Sequence, residues 1–545
     1  MSARFLWFLD KLESILLSVS LRLISRLSVI TSTFIDMQSK LSPVLLALSL
    51  ILSIPVFSQK NKTIDLESVT EKNLRTGIGI LNDLISIPND SNIPEQLWPN
   101  LEWCERNFGS RGWKTQRLET AGFPLMLAEM SVPKATKTVL FYFHVDGQPV
   151  NAKQWDQEDP FGPVLKQRNS AGKWETIPMS RLDNGFDPEW RIFARSASDD
   201  KGPLAMFLTA WDALKAEGKS PNFNVKVILD FEEEIGSPHL GPAVNMHKEK
   251  LAADMMLIMD GPRHISNEPT LTFGARGIAE ITLTVYGPRN DQHSGHYGNY
   301  APNPAFRLSQ LLSSMKDDAG RVLIPGFYDG ISLTEEEKRI LAAVPHDEET
   351  VKKSLGIGST DKVGATYQES LQYPSLNIRG LYSGGVGKEA RTIVPSTALA
   401  EIDVRLVPES DPERLFALIR KHIQQQGYHI LDQDPTDEER QKYPKLVKWQ
   451  GTISYKAFRT PFDSAPGKML NNAYIRAFGK EPIKNRISGG SLPIAPFVDA
   501  LQIPAVTVVT VNSDNNQHGP NENIRLGNYK EGIKTALAIL TEELK

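Results

Sequence analysis

Four short runs along the chain are apolar at every position and end abruptly in polar residues. Thr138–Phe143 runs into His144, Val225–Leu229 into Asp230 and three glutamates, Met255–Met259 into Asp260, and Val506–Val511 into a loop that holds His518. Short unbroken apolar runs predict strands covered on both faces. Between them, Pro203–Lys215 carries a helical pattern that begins just after Asp199-Asp200-Lys201-Gly202. Strands alternating with helices predict an α/β sheet, in which ligands sit beyond the carboxyl ends of the strands. Every acidic or histidine cluster named above falls at such an end.

The middle of the chain follows a different period. Ala279–Gly287 and Leu399–Val407 alternate apolar and polar residues, with Ile281, Leu283 and Val285 on one face. Pro412–Gln426 predicts an amphipathic helix with Leu415, Phe416, Ile419 and Ile423 on one stripe. Half-buried strands with helices predict an α+β unit with one open sheet face, inserted into the α/β domain. The expected organisation is a catalytic domain in two parts, 59–278 and 458–545, interrupted by the insertion 279–457. Trp155–Ile192, rich in Pro, Gly, Asp and Arg, is expected as a long ordered loop near the site.

At the amino end, Leu41–Gln59 carries no charge and lies between Lys40 and Lys60. A basic flank, an apolar stretch and the triplet Val56-Phe57-Ser58 predict a secretory signal peptide. Residues 1–58 are then a leader outside the fold, with Met37 the expected start and a mature chain beginning near Gln59. The alternative is an uncleaved membrane anchor, against which Pro43 and Pro55 weigh. A secreted or periplasmic protein is expected, or else one anchored with its catalytic domain outside the cytoplasm.

Composition narrows the chemistry. The 545 residues are 40% hydrophobic and 23% charged, an ordinary globular balance. Lys plus Arg number 61 against 65 Asp plus Glu, so no basic field invites nucleic acid. The single cysteine, Cys104, excludes an intrachain disulfide and a zinc–cysteine cluster. A bound metal would be held by His, Asp and Glu.

The clusters are individually bland. His144-Val145-Asp146 can be a surface pair, Glu232-Glu233-Glu234 a solvated face, and Asp199-Asp200 a helix start. Their joint order, each after an apolar strand, is not bland. H-x-D, D-D-K-G, E-E-x-G-S, a strand-final Asp260 and a late His518 together resemble the dinuclear zinc metallopeptidase family 20. Asp291-Gln292-His293-Ser294-Gly295, Thr392-Ile393-Val394-Pro395, Asp403-Val404-Arg405 and Gly489-Gly490-Ser491 look most like its carnosinase and nonspecific dipeptidase branch, with glutamate carboxypeptidase close by.

The resemblance implies a zinc-exopeptidase-like catalytic domain, a mixed sheet flanked by helices, with an inserted α+β lid and dimerisation domain. It implies two Zn²⁺ per chain, with Mn²⁺ or Co²⁺ as alternatives. One would be held by His144, Asp199 and Asp260, the other by Asp199, Glu234 and His518, with Asp199 bridging. Asp146 would orient His144. Glu233 would be the general base toward a metal-bridged hydroxide. His293 would serve the oxyanion of the opposite subunit, making a homodimer part of the catalytic unit. Arg405, Thr392 and Ser491 would bind the substrate carboxylate. The Asp199–Asp200 peptide is expected to be cis.

The implied activity is hydrolysis of the amide bond beside a free carboxylate in dipeptides or short peptides. An N-acyl amino acid amidohydrolase is the enzymatic alternative; an inactive metal-binding or membrane-anchored interaction protein is the other. Two departures from the family pattern stand out. Ala194-Arg195-Ser196 replaces the usual G-R-G, at small cost unless Ser196 must adopt a positive φ. No histidine lies between His429 and His518, where the carnosinase branch carries one for substrate.

Overall fold

The computed structural model describes residues 64–491 and 493–544. The expected leader, including Leu41–Gln59, lies outside the described residues. Among the described residues no helix is long and apolar enough to cross a membrane.

The main sheet has eight strands. Their order across the sheet is Lys114–Leu118, Leu125–Met130, Asn224–Asp230, Thr138–His144, Met255–Ile258, Ala505–Val509, Thr270–Thr272 and Ile483–Asn485. The four central strands run parallel, and antiparallel strands flank them. Alternation explains why the central runs are apolar throughout. Val139, Phe141 and Phe143 face a core shared with the helices Leu66–Ile85, Lys201–Ala216 and Leu526–Leu540. Leu140 and Tyr142 face the opposite core, against Leu240–Met246 and Ala495–Leu501. Both faces are covered, as the continuous hydrophobicity requires.

The second sheet has five strands, ordered Ser375–Tyr382, Thr397–Leu406, Gly277–Tyr286, Leu446–Tyr455 and His429–Leu431. Here alternation is kept. Ile281, Leu283 and Val285 pack with Ile402 and Val404 against the helices Pro304–Ser313 and Pro412–Gln425. The other face carries Arg379, which pairs with both Glu280 and Glu401. The chain enters this sheet at Gly277 and leaves it at Tyr455, and the two crossings touch. A Cβ at Gly277 would lie 2.4 Å from the Tyr455 carbonyl oxygen and 2.6 Å from the Ala457 nitrogen.

The stretch Trp155–Ile192 is not the expected loop. Val164–Arg168 and Trp174–Thr176 are strands, and with Arg191–Phe193 and Asn523–Arg525 they form a four-stranded antiparallel sheet. The strands are three to five residues long. Several of their buried residues are polar, Lys166, Arg191 and Asn523 among them, so their hydrophobic signal is weak.

Candidate functional site

Parallel register brings the predicted residues to one edge. His144 ends its strand directly opposite Asp230. Asp146 follows two residues later, Glu233 and Glu234 start a short turn after Asp230, and Asp260 follows its own strand. Asp199 arrives from the small sheet, at the entry to helix Lys201–Ala216. The Asp199–Asp200 peptide is cis. Gly202 of the D-D-K-G motif is needed for close approach: a Cβ there would lie 2.2 Å from the Ala197 carbonyl oxygen.

Two groups of three potential ligands result. His144, Asp199 and Asp260 offer donor atoms within 4.8 Å of one another, and so do Asp199, Glu234 and His518. Asp199 belongs to both. His144 Nε2 lies 2.9 Å from Asp199 Oδ1, and its Nδ1 lies 3.4 Å from Asp146 Oδ1. His518 Nε2 lies 3.2 Å from Asp199 Oδ2 and 3.3 Å from Glu234 Oε2. Asp146 also accepts the Glu234 backbone N–H at 2.9 Å, so it fixes both a histidine and a carboxylate. Gln148 Nε2 donates to Glu234 Oε2 at 2.7 Å.

The donor set fits divalent cations. All five candidate ligands are imidazoles or carboxylates, and no thiolate is near. Crowding so many carboxylates under cover is unfavourable without positive charge. Burial and the neighbouring Asp199 push the Glu234 carboxyl up to about 7. The same causes push Asp260 up to about 6. Burial raises Glu233 strongly, Asp260 and Asp199 adding to it. The hydrogen bond that His518 donates to Asp199 lifts its imidazole to about 8. A pair of cations would relieve each of these tensions at once.

Asp199, Glu233, Asp260 and His518 line a cleft of about 580 Å³ that also receives Gly489, Gly490 and Ser491. Arg405 stands behind Ser491, its Nη1 donating to the Ser491 hydroxyl at 2.9 Å. Its Nε lies 3.6 Å from Asp403. His293 and Thr392 are brought together elsewhere. His293 pairs with Ile393 in a two-stranded ribbon, and the Thr392 carbonyl accepts the Ser294 N–H at 3.0 Å. His293 is exposed, and neither residue lines the cleft.

The sequence reading assigned no role to Glu522. Its buried carboxylate accepts the backbone N–H groups of Ser196, Ser198 and Asp199 at 2.9, 2.9 and 3.0 Å. Arg195 Nη1 donates to it at 2.7 Å. One carboxylate thus shapes the loop that presents Asp199, from a position four residues after His518. Its only sequence signal was adjacency to that histidine. Ser196 does adopt a positive φ, 60°. A compensating contact is present: its hydroxyl accepts from Asn89 Nδ2 at 2.9 Å, and Asn89 also donates to the Val145 carbonyl at 2.7 Å.

Comparison with known proteins places this site in context. The sequence pattern of peptidase family M20/M25/M40 matches residues 140–542. The Cys-Gly metallodipeptidase DUG1 of Saccharomyces cerevisiae is 27% identical over 424 residues, covering 76% of this chain and 81% of the yeast protein. Human Beta-Ala-His dipeptidase is 26% identical over 425 residues, covering 77% of each. The crystal structure of the M20 family metallo-carboxypeptidase Sso-CP2 from Sulfolobus solfataricus superposes with a TM-score of 0.68 at 30% identity, covering 85% of this chain and 98% of that one.

These relatives correct one expectation. The matched yeast Cys-Gly metallodipeptidases are cytosolic enzymes, and the comparison brings no signal peptide with it. The apolar run and basic flanks of Leu41–Gln59 resemble a signal in composition alone, and the reading of a secreted, periplasmic or membrane-anchored protein is withdrawn. With its matched span covering most of the chain, the protein belongs to peptidase family M20/M25/M40 and is a metal-dependent peptidase.

Proposed function

We propose that the chain is a dinuclear metallo-dipeptidase, cleaving the amide bond next to a free carboxylate in dipeptides or short peptides. The observation that carries this reading is the pair of ligand groups sharing Asp199, with Glu233 on the same cleft wall. The dipeptide substrates named for the yeast and human relatives support it.

His144, Asp199 and Asp260 would hold one cation, and Asp199, Glu234 and His518 the other. Zn²⁺ suits imidazole and carboxylate donors, as do Mn²⁺ and Co²⁺. Such cations polarise a carbonyl and lower the pKa of water toward neutrality. Glu233 takes the proton of the attacking water at its carboxylate and returns it to the leaving amine. Asp146 holds the His144 ring in place through Nδ1. Arg405 and Ser491 anchor the substrate carboxylate, a pairing already joined by a hydrogen bond.

His293 and Thr392 act from the two-stranded ribbon of a second subunit, where His293 donates to the developing oxyanion. Their exposure on a ribbon away from this chain's cleft supports a homodimer that shares its sites. Residues 279–457 then form the lid and dimerisation domain, and 59–278 with 458–545 form the catalytic domain.

The test is metal content per chain, measured alongside hydrolysis of a panel of dipeptides and N-acetyl amino acids. Two metals per chain with chelator-sensitive dipeptide cleavage is the expected result. A folded protein that takes up no metal on addition of zinc overturns the ligand assignment. Cleavage of N-acetyl amino acids alone overturns the dipeptidase assignment.

A further inference from the structure

A second cavity, of about 310 Å³, lies within the inserted unit, and the proposed chemistry makes no use of it. Its lining mixes apolar and aromatic walls, Tyr328, Val351, Tyr373 and Leu376 among them, with polar side chains that include Lys316, His346 and Lys362. Tyr328 and Tyr373 meet edge to face at 5.9 Å. Tyr367 lines both this cavity and the catalytic cleft, so a single side chain is common to the two.

Among the charged residues of this lining, Arg276 is the deeply buried one. Arg276 is only 7% exposed. Its Nη2 donates to the Tyr373 carbonyl at 2.7 Å, and its Nε–H is buried without a partner. Among the described residues no carboxylate lies within ion-pair distance of it. The acids on the cavity wall are engaged elsewhere: Asp361 lies 3.3 Å from Lys316, and Glu348 accepts from Thr360 at 3.4 Å. Asp403 contributes some favourable field, but it is already paired with Arg405 and accepts from Asn377. Burial, with repulsion from Arg405, lowers the guanidinium to about 10. A buried cation without a counter-ion is costly, and an anion in the cavity would relieve it.

We propose that this cavity is a second binding site, for a carboxylate carried on an apolar or aromatic body, with Arg276 as its anchor. A guanidinium fork suits a carboxylate, and the tyrosine and aliphatic walls suit the body. Two sources supply that chemistry. One is a free apolar amino acid released by the peptidase. The other is the terminal carboxylate of a peptide longer than a dipeptide, reaching past Tyr367. Both sources rest on the peptidase reading; the binding measurement below does not.

The probes are 3-phenylpropionate and its neutral amide, titrated calorimetrically into the purified full chain carrying Arg405→Ala, which removes the anchor of the catalytic cleft. The acid is expected to bind at least about tenfold more tightly than the amide, the size of one charge-assisted hydrogen bond. Adding Arg276→Gln should weaken the acid by about tenfold or more. Val351→Trp fills the cavity and leaves the arginine in place, so it should do the same and guards against misfolding at Arg276. Equal binding of acid and amide, or acid binding unchanged by both substitutions, overturns the proposal. Kinetics on the Arg405-intact protein separate the sources. Arg276→Gln that raises KM for a tripeptide and not for the matching dipeptide identifies the longer peptide. Loss of a phenylalanine effect on dipeptide turnover identifies the free amino acid.

Discussion

Glu522 Oε1 accepts the backbone N–H of Asp199 at 3.0 Å, so a residue that touches no substrate sets where the shared candidate ligand stands. The same carboxylate neutralises buried Arg195. Glu522→Gln keeps the size and removes the charge. Loss of an outer partner of a metal ligand typically costs ten- to a hundredfold in metal affinity. Breaking a buried ion pair costs about 3–5 kcal/mol. The expected outcome is weaker metal binding in a chelator competition and a lower Tm, with the larger share of lost turnover restored at high metal concentration.

Glu233 is expected to carry proton transfer and no metal. Glu233→Gln should abolish measurable turnover while metal content per chain is unchanged. Elemental analysis with single-turnover assays checks this, and a variant that keeps full activity removes Glu233 from the mechanism.

Arg405 and Ser491 are expected to act on binding. A hydrogen bond to a charged group is worth about 1.5–3 kcal/mol, so Arg405→Ala should raise KM by roughly 10- to 150-fold. Dipeptide amides, which lack the carboxylate, should be affected far less. Equal losses on both substrate types would show that Arg405 does not meet the carboxylate.

His293 lies on an exposed ribbon, away from its own chain's cleft. His293→Ala should lower turnover with the metals in place. Mixing that variant with Glu233→Gln chains should then recover activity, because one site of each heterodimer is intact. No recovery after verified subunit exchange would place His293 outside the neighbour's site.

The metal-free protein should be less stable as pH rises. Glu234 at about 7 and Asp260 at about 6 keep protons in the fold that the unfolded chain has already released. The folded state therefore binds more protons, and stability falls from the ordinary carboxyl range of about 4 upward. His518, at about 8, adds to the fall between about 6.5 and 8. Metal binding displaces these protons and strengthens with pH. The Tm gap between loaded and stripped protein should widen from about pH 5 to about pH 8. A constant gap would remove these groups from the ligand set.

The central strands were legible because both of their faces are buried, which leaves an unbroken apolar run as the signature. Their polar ends then located His144, Asp230 and Asp260. The inserted sheet was legible for the opposite reason, since one face stays polar. The small sheet around Arg191–Phe193 was hidden by its short, largely polar strands. Glu522 was hidden because a glutamate in a polar loop looks solvated until the fold closes over it. Ser196 read as a change from glycine of small cost unless its φ is positive; the left-handed backbone it adopts becomes intelligible only with Asn89 beside it, 107 positions away in the chain. The amino-terminal run shows the limit of composition, since an uncharged stretch with basic flanks is no address by itself.

The close crossing at Gly277 turns one hydrogen atom into a mechanical part. Ile278, next in the chain, pairs directly with Arg405 across the inserted sheet. That sheet hangs on two adjacent threads of backbone, and the absence of a side chain at 277 lets them lie flush, like the leaves of a closed hinge. A methyl group there would act as a wedge driven at the pivot. Arg405 stands right beside that pivot, one strand over, so the first thing to move out of true would be the proposed grip on the substrate.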